Sequence, residues 1–292
     1  MRRARPRLAA LLLLMLAAAC APPRPLPYPP DVTARLIRFA LAEWQDWGCV
    51  VLGEPGPPLS PGCAETRPPP PAAEAAPRNF PRVLAYWRAV EDAPQAISLN
   101  RARYAALLSG EAPDAPVWSE PFWSAAFISW LMLAAGVDRA EFQPSAAHVF
   151  SLDHLDRLAE AHPDAAPFLP RDPHAYAPRP GDLICTDRSA APLPDWRARA
   201  AERGSFRPMH CDLVVASGPG VIEAVGGNIA DGVALRRLAA DPAGRPRPEQ
   251  GPILVVMENR LSARYPLALA ADRGQGALSA WAGGASRPKL PP

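Results

Sequence analysis

Residues Ser119 to Ala135 read SEPFWSAAFISWLMLAA, the most hydrophobic helical stretch beyond the N-terminal segment. Ser119 is a capping residue, Pro121 falls in the first turn where a missing N–H is tolerated, and Gly136 follows the end. The spacing predicts a helix over 119–135, and a helix apolar on nearly all sides has to be buried. From Pro180 the pattern changes to short β-rich runs: GDLICT (181–186), HCDLVVAS (210–217), GVIEAVGGN (220–228), GVALRRLA (232–239) and PILVVMENR (252–260). The tetrapeptide SGPG at 217–220 reads as a hairpin turn between the second and third of them. Helices first and strands second predict an α+β fold class, with an antiparallel sheet packed against the buried helix.

Upstream, Asp31 can cap a helix running to about Trp47, with Val32, Leu36, Phe39, Ala40 and Trp44 on one side. Residues 48–80 read as loop, and RPPPPAAEAAP (67–77) reads as a low-complexity, solvent-exposed stretch. Helical patterns follow at about 81–91, at 98–108 before Gly110, and, beyond the buried helix, at about 149–161.

The first residues carry a different message. Arg2, Arg3, Arg5 and Arg7 precede LAALLLLMLAAA, an apolar run too short to span a bilayer, and small residues lead into Cys20. Residues 1–19 read as a secretory signal peptide whose end resembles a bacterial lipobox, which makes Cys20 the acylated N-terminus of the mature protein. APPRPLPYPP (21–30) reads as an extended tether from membrane to domain. Without residues 1–19 the formal charge of +2 becomes −2, and the remaining Arg residues do not cluster, which excludes nucleic acid as the expected partner.

Export makes disulfides the default for the other four cysteines. Cys49 and Cys63 bracket a Gly- and Pro-rich loop whose closure stabilises by about 3 kcal/mol in the chain-entropy model. Cys185 and Cys211 fall on two predicted strands, where a bridge or a packed pair is expected. No Cys or His spacing matches a metal site, and no cofactor motif is present.

Trp-Ser-Ala-Ala-Phe-Ile-Ser-Trp at the buried helix, then Pro-Arg-Pro-Gly-Asp-Leu, His-Cys-Asp-Leu-Val-Val and Gly-Gly-Asn, resemble in order the CHAP and NlpC-type cell-wall hydrolases of the papain-like superfamily. The chain is most similar there to an uncharacterised bacterial group, domain of unknown function 2272. The resemblance covers roughly residues 118–260 and implies a papain-like fold with a buried nucleophile helix on an antiparallel sheet; together with the patterns on either side, it divides the chain into a helical N-terminal region (31–110), a CHAP-like domain (111–262) and a flexible tail (263–292). It places Ser124 at the nucleophile position, where relatives of this kind carry Cys, His210 at the base, and Asn228 at the orienting amide.

Ser is a weaker nucleophile than Cys and has to lose its proton during attack. Asp212 shares the face of His210 on a strand and is a second candidate orienter, whereas Cys211 points to the other face. His148 and Trp118 are further candidates for lining the cleft; His154, His162 and His174 read as solvated. The implied activity is amide hydrolysis in peptidoglycan stem peptides by a lipid-anchored envelope protein on the outer membrane, facing the periplasm. The alternatives are a catalytically inactive domain that keeps the cleft to bind cell-wall peptide or a cell-wall protein, and a structural lipoprotein in which Ser124 and His210 are packed polar residues. The lipobox reading predicts that Cys20→Ser abolishes incorporation of a radiolabelled fatty acid; incorporation equal to wild type would defeat it.

Overall fold

The structure is a computed structural model that describes residues 32–53, 59–60, 63, 73–248 and 251–261. Cys20, the signal and tether segments and the tail lie outside the described residues. Helix α1 (Val32–Asp46) buries Val32, Leu36, Ala40 and Trp44, a stripe at every fourth residue. Strand β1 (Val51–Gly53) follows. Helices α2 (Phe80–Trp87) and α3 (Pro94–Leu108) each begin with a proline in the first turn. Helices α4 (Ser124–Ala134) and α5 (His148–Ala161) precede strands β2 (Phe168–Arg171) and β3 (Leu183–Asp187). Strands β4 (Met209–Gly218), β5 (Val221–Ile229), β6 (Gly232–Ala239) and β7 (Ile253–Asn259) complete a seven-stranded sheet of order β1-β6-β5-β4-β3-β7-β2. The fold class is α+β. No helix among the described residues is long and apolar enough to cross a membrane.

Two local expectations change, and one strand appears where no element was expected. The sheet is antiparallel except at one edge, where β1 runs parallel to β6, and β1 arises inside the stretch expected to be loop. Strand β2 contains Pro170 and pairs only with β7, so it lies at the other edge, where a missing N–H costs no ladder bond. Helix α4 starts at Ser124, five residues later than its capping pattern suggests. Ser119 Oγ turns back to donate to the Pro116 carbonyl (2.8 Å), and the first intrahelical bond runs from Phe127 N–H to the Trp123 carbonyl (2.9 Å).

The core is built around α4. Ala125, Ala126, Phe127, Ile128, Ser129, Leu131 and Met132 are all buried. Aromatic rings from the described residues before position 111 close over α4 and share its core. The Trp123 ring lies 5.4 Å from Trp47 and 5.5 Å from Tyr86, and Tyr86 meets Phe127 edge-on at 5.2 Å. Trp47 Nε1 donates to Tyr86 Oη (3.1 Å), which ties the end of α1 to α2. Beneath the helix, Gly227 of β5 lets the sheet approach: a methyl group there would stand 2.6 Å from Phe127 Cβ and 2.9 Å from the Trp123 ring.

Both disulfides join the cysteines paired above. Cys49 is bonded to Cys63, and Cys185 to Cys211, which sit directly opposite each other in the β3–β4 ladder. The close approach of α4 to β5 predicts that Gly227→Ala costs about 1–3 kcal/mol of unfolding free energy through overpacking, measured by denaturant titration. A variant as stable as wild type would show that α4 can move away from the sheet freely.

Candidate active site

Ser124 and His148 are the first residues of α4 and α5, and the two helix starts meet. His148 Nε2 lies 2.9 Å from Ser124 Oγ. The loop that brings them together is pinned from both sides. Ser145 N–H donates to Ser129 Oγ (3.2 Å), Ser145 Oγ donates to Asp92 (2.7 Å), and Ala146 N–H donates to the same carboxylate (2.9 Å). Ser124 is half-buried, while His148 is buried. Burial depresses the basicity of the His148 imidazole well below the usual histidine range, and nearby His210 and Arg188 depress it further, against a smaller opposing pull from Asp212. The N-terminus of its own helix acts in the same direction. His148 is therefore neutral at pH 7, and an acceptor for a hydroxyl proton.

His210 stands beside this pair without touching Ser124 through a hydrogen bond. Its ring meets His148 edge-on, with centroids 5.6 Å apart, and its Nε2–H donates to Asp212 Oδ1 (2.7 Å). Alternation along β4 explains the arrangement: Met209, Cys211 and Leu213 belong to the core that holds α4, and His210, Asp212 and Val214 take the opposite parity. Gly226 makes room there, since a Cβ on it would lie 1.8 Å from Asp212 Oδ1. Arg236 of β6 reaches across to Asp212, Nη2 to Oδ2 at 2.5 Å. Burial alone would raise the Asp212 carboxyl, but the Arg236 guanidinium and His210 outweigh it and hold the group well below the usual carboxylate range. The imidazole against Ser124 is thus His148, read above only as a cleft candidate, and not His210, the residue expected there.

Asn228 also takes a different place. Its backbone is left-handed, φ 56°, at the β-bulge between Gly227 and Ile229. Its Oδ1 accepts the Trp123 N–H (3.1 Å) and its Nδ2 donates to Glu74 Oε2 (3.1 Å), so the amide orients the residue before Ser124 and not the ring of His210. Trp123 Nε1 donates to the same Glu74 oxygen at 2.6 Å. Glu74 was hidden in the Pro- and Ala-rich run expected to be exposed, yet it is buried. A single acid inside an otherwise apolar stretch was the only signal for it. Burial raises its carboxyl from 4.5 to about 7, against the lowering hydrogen bond from Trp123.

Trp118, a cleft candidate by sequence, is fully buried, with its ring 5.0 Å from Phe80 and its backbone N–H donated to Asn100 Oδ1 (2.6 Å). His154 is buried rather than solvated, with Nε2 2.8 Å from the Ala140 carbonyl oxygen. Arg236 and Arg188 were not singled out from sequence at all. Among the described residues no group of three or more His, Cys, Asp or Glu is placed to hold a metal ion.

An α+β protein thus places a hydroxyl at a helix N-terminus within hydrogen-bond distance of an imidazole, with His210, Asp212 and Arg236 in a row alongside. Residues 74–267 match the family described as an uncharacterized protein conserved in bacteria, DUF2272, and the chain belongs to that family. No curated protein and no solved structure matches it.

Glu74 gives this site a measurable pH dependence. Below about pH 4.5 its carboxyl is protonated in both folded and unfolded chains; as pH rises through 7 the folded state has to ionise a buried group, and stability is lost. Glu74→Gln keeps an acceptor for Trp123 and removes the ionisation. The variant is expected to exceed wild type at pH 8 by on the order of 2–3 kcal/mol, with the gain shrinking towards pH 5. Equal stability gains at both pH values would contradict this.

Proposed function

We propose that this protein is an envelope lipoprotein with a papain-like, CHAP-like domain that hydrolyses amide bonds in peptidoglycan peptides. The observation that carries the reading is the 2.9 Å contact between Ser124 Oγ and His148 Nε2 where two helix N-termini meet. The order of motifs from Trp123 to Asn228 supports the superfamily, and the lipobox-like approach to Cys20 supports the anchoring and the periplasmic side of the outer membrane.

In the proposed reaction, His148 Nε2 accepts the Ser124 Oγ proton as Oγ bonds to the substrate carbonyl carbon. The developing oxyanion lies at the head of α4, where the Ser124, Ala125 and Ala126 N–H groups come before the first intrahelical bond. The proton on His148 passes to the leaving nitrogen as the C–N bond breaks. Water then attacks the acyl-Ser124 ester, gives its proton to His148, and releases the acid with the hydroxyl restored. Asp212, held ionised by Arg236, attracts the imidazolium formed in each half of the cycle, and His210 spans the gap between them. Trp123, clamped by Asn228 and Glu74, fixes where the nucleophile stands.

Turnover of purified peptidoglycan or its stem peptides tests the reading. Ser124→Ala and His148→Ala should each lower kcat by about 10²–10⁴-fold, and the double variant should be scarcely worse than either single one. His210→Ala should cost less than His148→Ala, the reverse of what a base at His210 requires. The acid limb of the pH–rate profile is expected below the ordinary histidine range, because a base of lowered pKa remains unprotonated further down. Ser124→Cys should retain or gain hydrolysis through its more easily ionised thiol. Muropeptide binding with no turnover by wild type or Ser124→Cys would favour an inactive binding domain; neither binding nor turnover would overturn the cell-wall reading.

A further inference from the structure

Beside the Ser124–His148 pair lies a set of nitrogen-bearing groups that the proposed chemistry does not consume. The β3–β4 ladder pairs Thr186 with His210 and continues past the strand end, where Arg188 N–H donates to the Pro208 carbonyl at 2.8 Å. Alternation then puts Arg188 on the side of the sheet that carries His210, Asp212 and Arg236. The Arg188 side chain is exposed, and among the described residues its guanidinium has neither a hydrogen-bond nor an ion-pair partner. It lies within electrostatic reach of His148, Asp212 and Arg236.

Two buried nitrogens close by are also unmatched. His210 is fully buried, its Nε2 is committed to Asp212, and its Nδ1 meets no partner; Arg236 Nε is likewise buried and unpaired. A buried polar atom left without a hydrogen bond costs about 1–3 kcal/mol, so the Arg236 Nε donor beside the unpartnered Arg188 guanidinium calls for an acceptor. Charge identifies the ligand. Two guanidinium groups face one carboxylate, Asp212, which leaves the cluster positive, and the heads of α4 and α5 add the positive ends of two helix dipoles. An acceptor with two oxygens and a negative charge fits both the surplus charge and the fork of an arginine.

We propose that Arg188, with Arg236 behind it, binds a free carboxylate of the substrate beside the amide attacked by Ser124. This rests on the hydrolase reading for the word substrate, but not for the binding itself. Arg188 is a positioning residue here: it holds the peptide so that the carbonyl meets Ser124, and it does not touch the reacting atoms. The substrate class narrows to peptides that carry a carboxylate near the scissile bond, either at the C-terminus or on a side chain.

The test uses the full-length protein carrying Ser124→Ala, so that binding is read without turnover. Three probes are compared by calorimetry: a peptidoglycan stem pentapeptide with all its carboxylates free, the same peptide amidated at its C-terminus, and the same peptide amidated on its side-chain carboxylates. Adding Arg188→Gln should weaken the free peptide about tenfold and leave one of the two amides unchanged, which names the carboxylate that is bound. Arg188→Lys should recover part of the loss, and added salt should shrink the difference that Arg188→Gln makes. In the active chain the same substitution should raise KM with kcat little changed for the free peptide. If all three probes bind equally, or if Arg188→Gln weakens them all alike, the carboxylate proposal is overturned while the hydrolase reading stands. Selective binding of free carboxylates by a chain that hydrolyses nothing supports the proposal and overturns the hydrolase. No binding of any probe overturns the proposal.

Discussion

Two adjacent residues without side chains, Gly226 and Gly227, set the distances on which the rest depends. They point to opposite faces of β5. On one face Gly227 lets Phe127 and Trp123 settle directly on the strand, which fixes the depth of α4 and with it the position of Ser124. On the other, Gly226 leaves the space that the Asp212 carboxylate occupies between His210 and Arg236. A Cβ at either position would meet atoms closer than van der Waals contact allows. The helix layer and the charged row are therefore registered against each other through one dipeptide, with Asn228 immediately after it holding the Trp123 backbone.

The electrostatics of the site follow from that placement. His148 is surrounded by low-dielectric packing, a helix head and two further basic groups, all of which oppose its protonation. Asp212 is just as buried, but the Arg236 guanidinium and the hydrogen bond from His210 keep it ionised. Two neighbouring groups are thus pushed to a neutral base and a permanent anion by the same few residues. Such a separation of roles is what a proton-transfer site requires, and it does not depend on whether the nucleophile is oxygen or sulfur.

Much of the fold was legible because its signals are local. The stripe Val32, Leu36, Ala40, Trp44 and the β-rich runs from Leu183 onward are periodic patterns within single elements, and both folded as their periods indicate. Strand β1 was not legible, because three residues carry no period and its pairing with β6 joins positions far apart in the chain. Strand β2 was masked by Pro170, which argues against a central strand but not against an edge. The site was legible by residue but not by role. Ser124, His148, His210 and Asp212 were all candidates, yet the choice of His148 as the partner of Ser124 depends on how a loop anchored by Asp92 and Ser129 folds back over α4. Glu74 and Asn228 show the same limit, since their bonds to Trp123 bridge segments with no sequence proximity.

The cross-strand bridge between Cys185 and Cys211 has a consequence for how the site keeps its shape over time. A slip of one residue between β3 and β4 would exchange the faces of His210 and Cys211, and with them the whole charged row. Noncovalent sheet pairing resists such a slip only by a difference in packing, which thermal opening can sample. The bridge converts it into an event that needs a bond to break. Alignment of the chemistry is consequently recorded at the moment of oxidation: a molecule that closed its thiols in the right register retains it through every later local unfolding, and a slipped pair, with its thiols on opposite faces, cannot close the bridge.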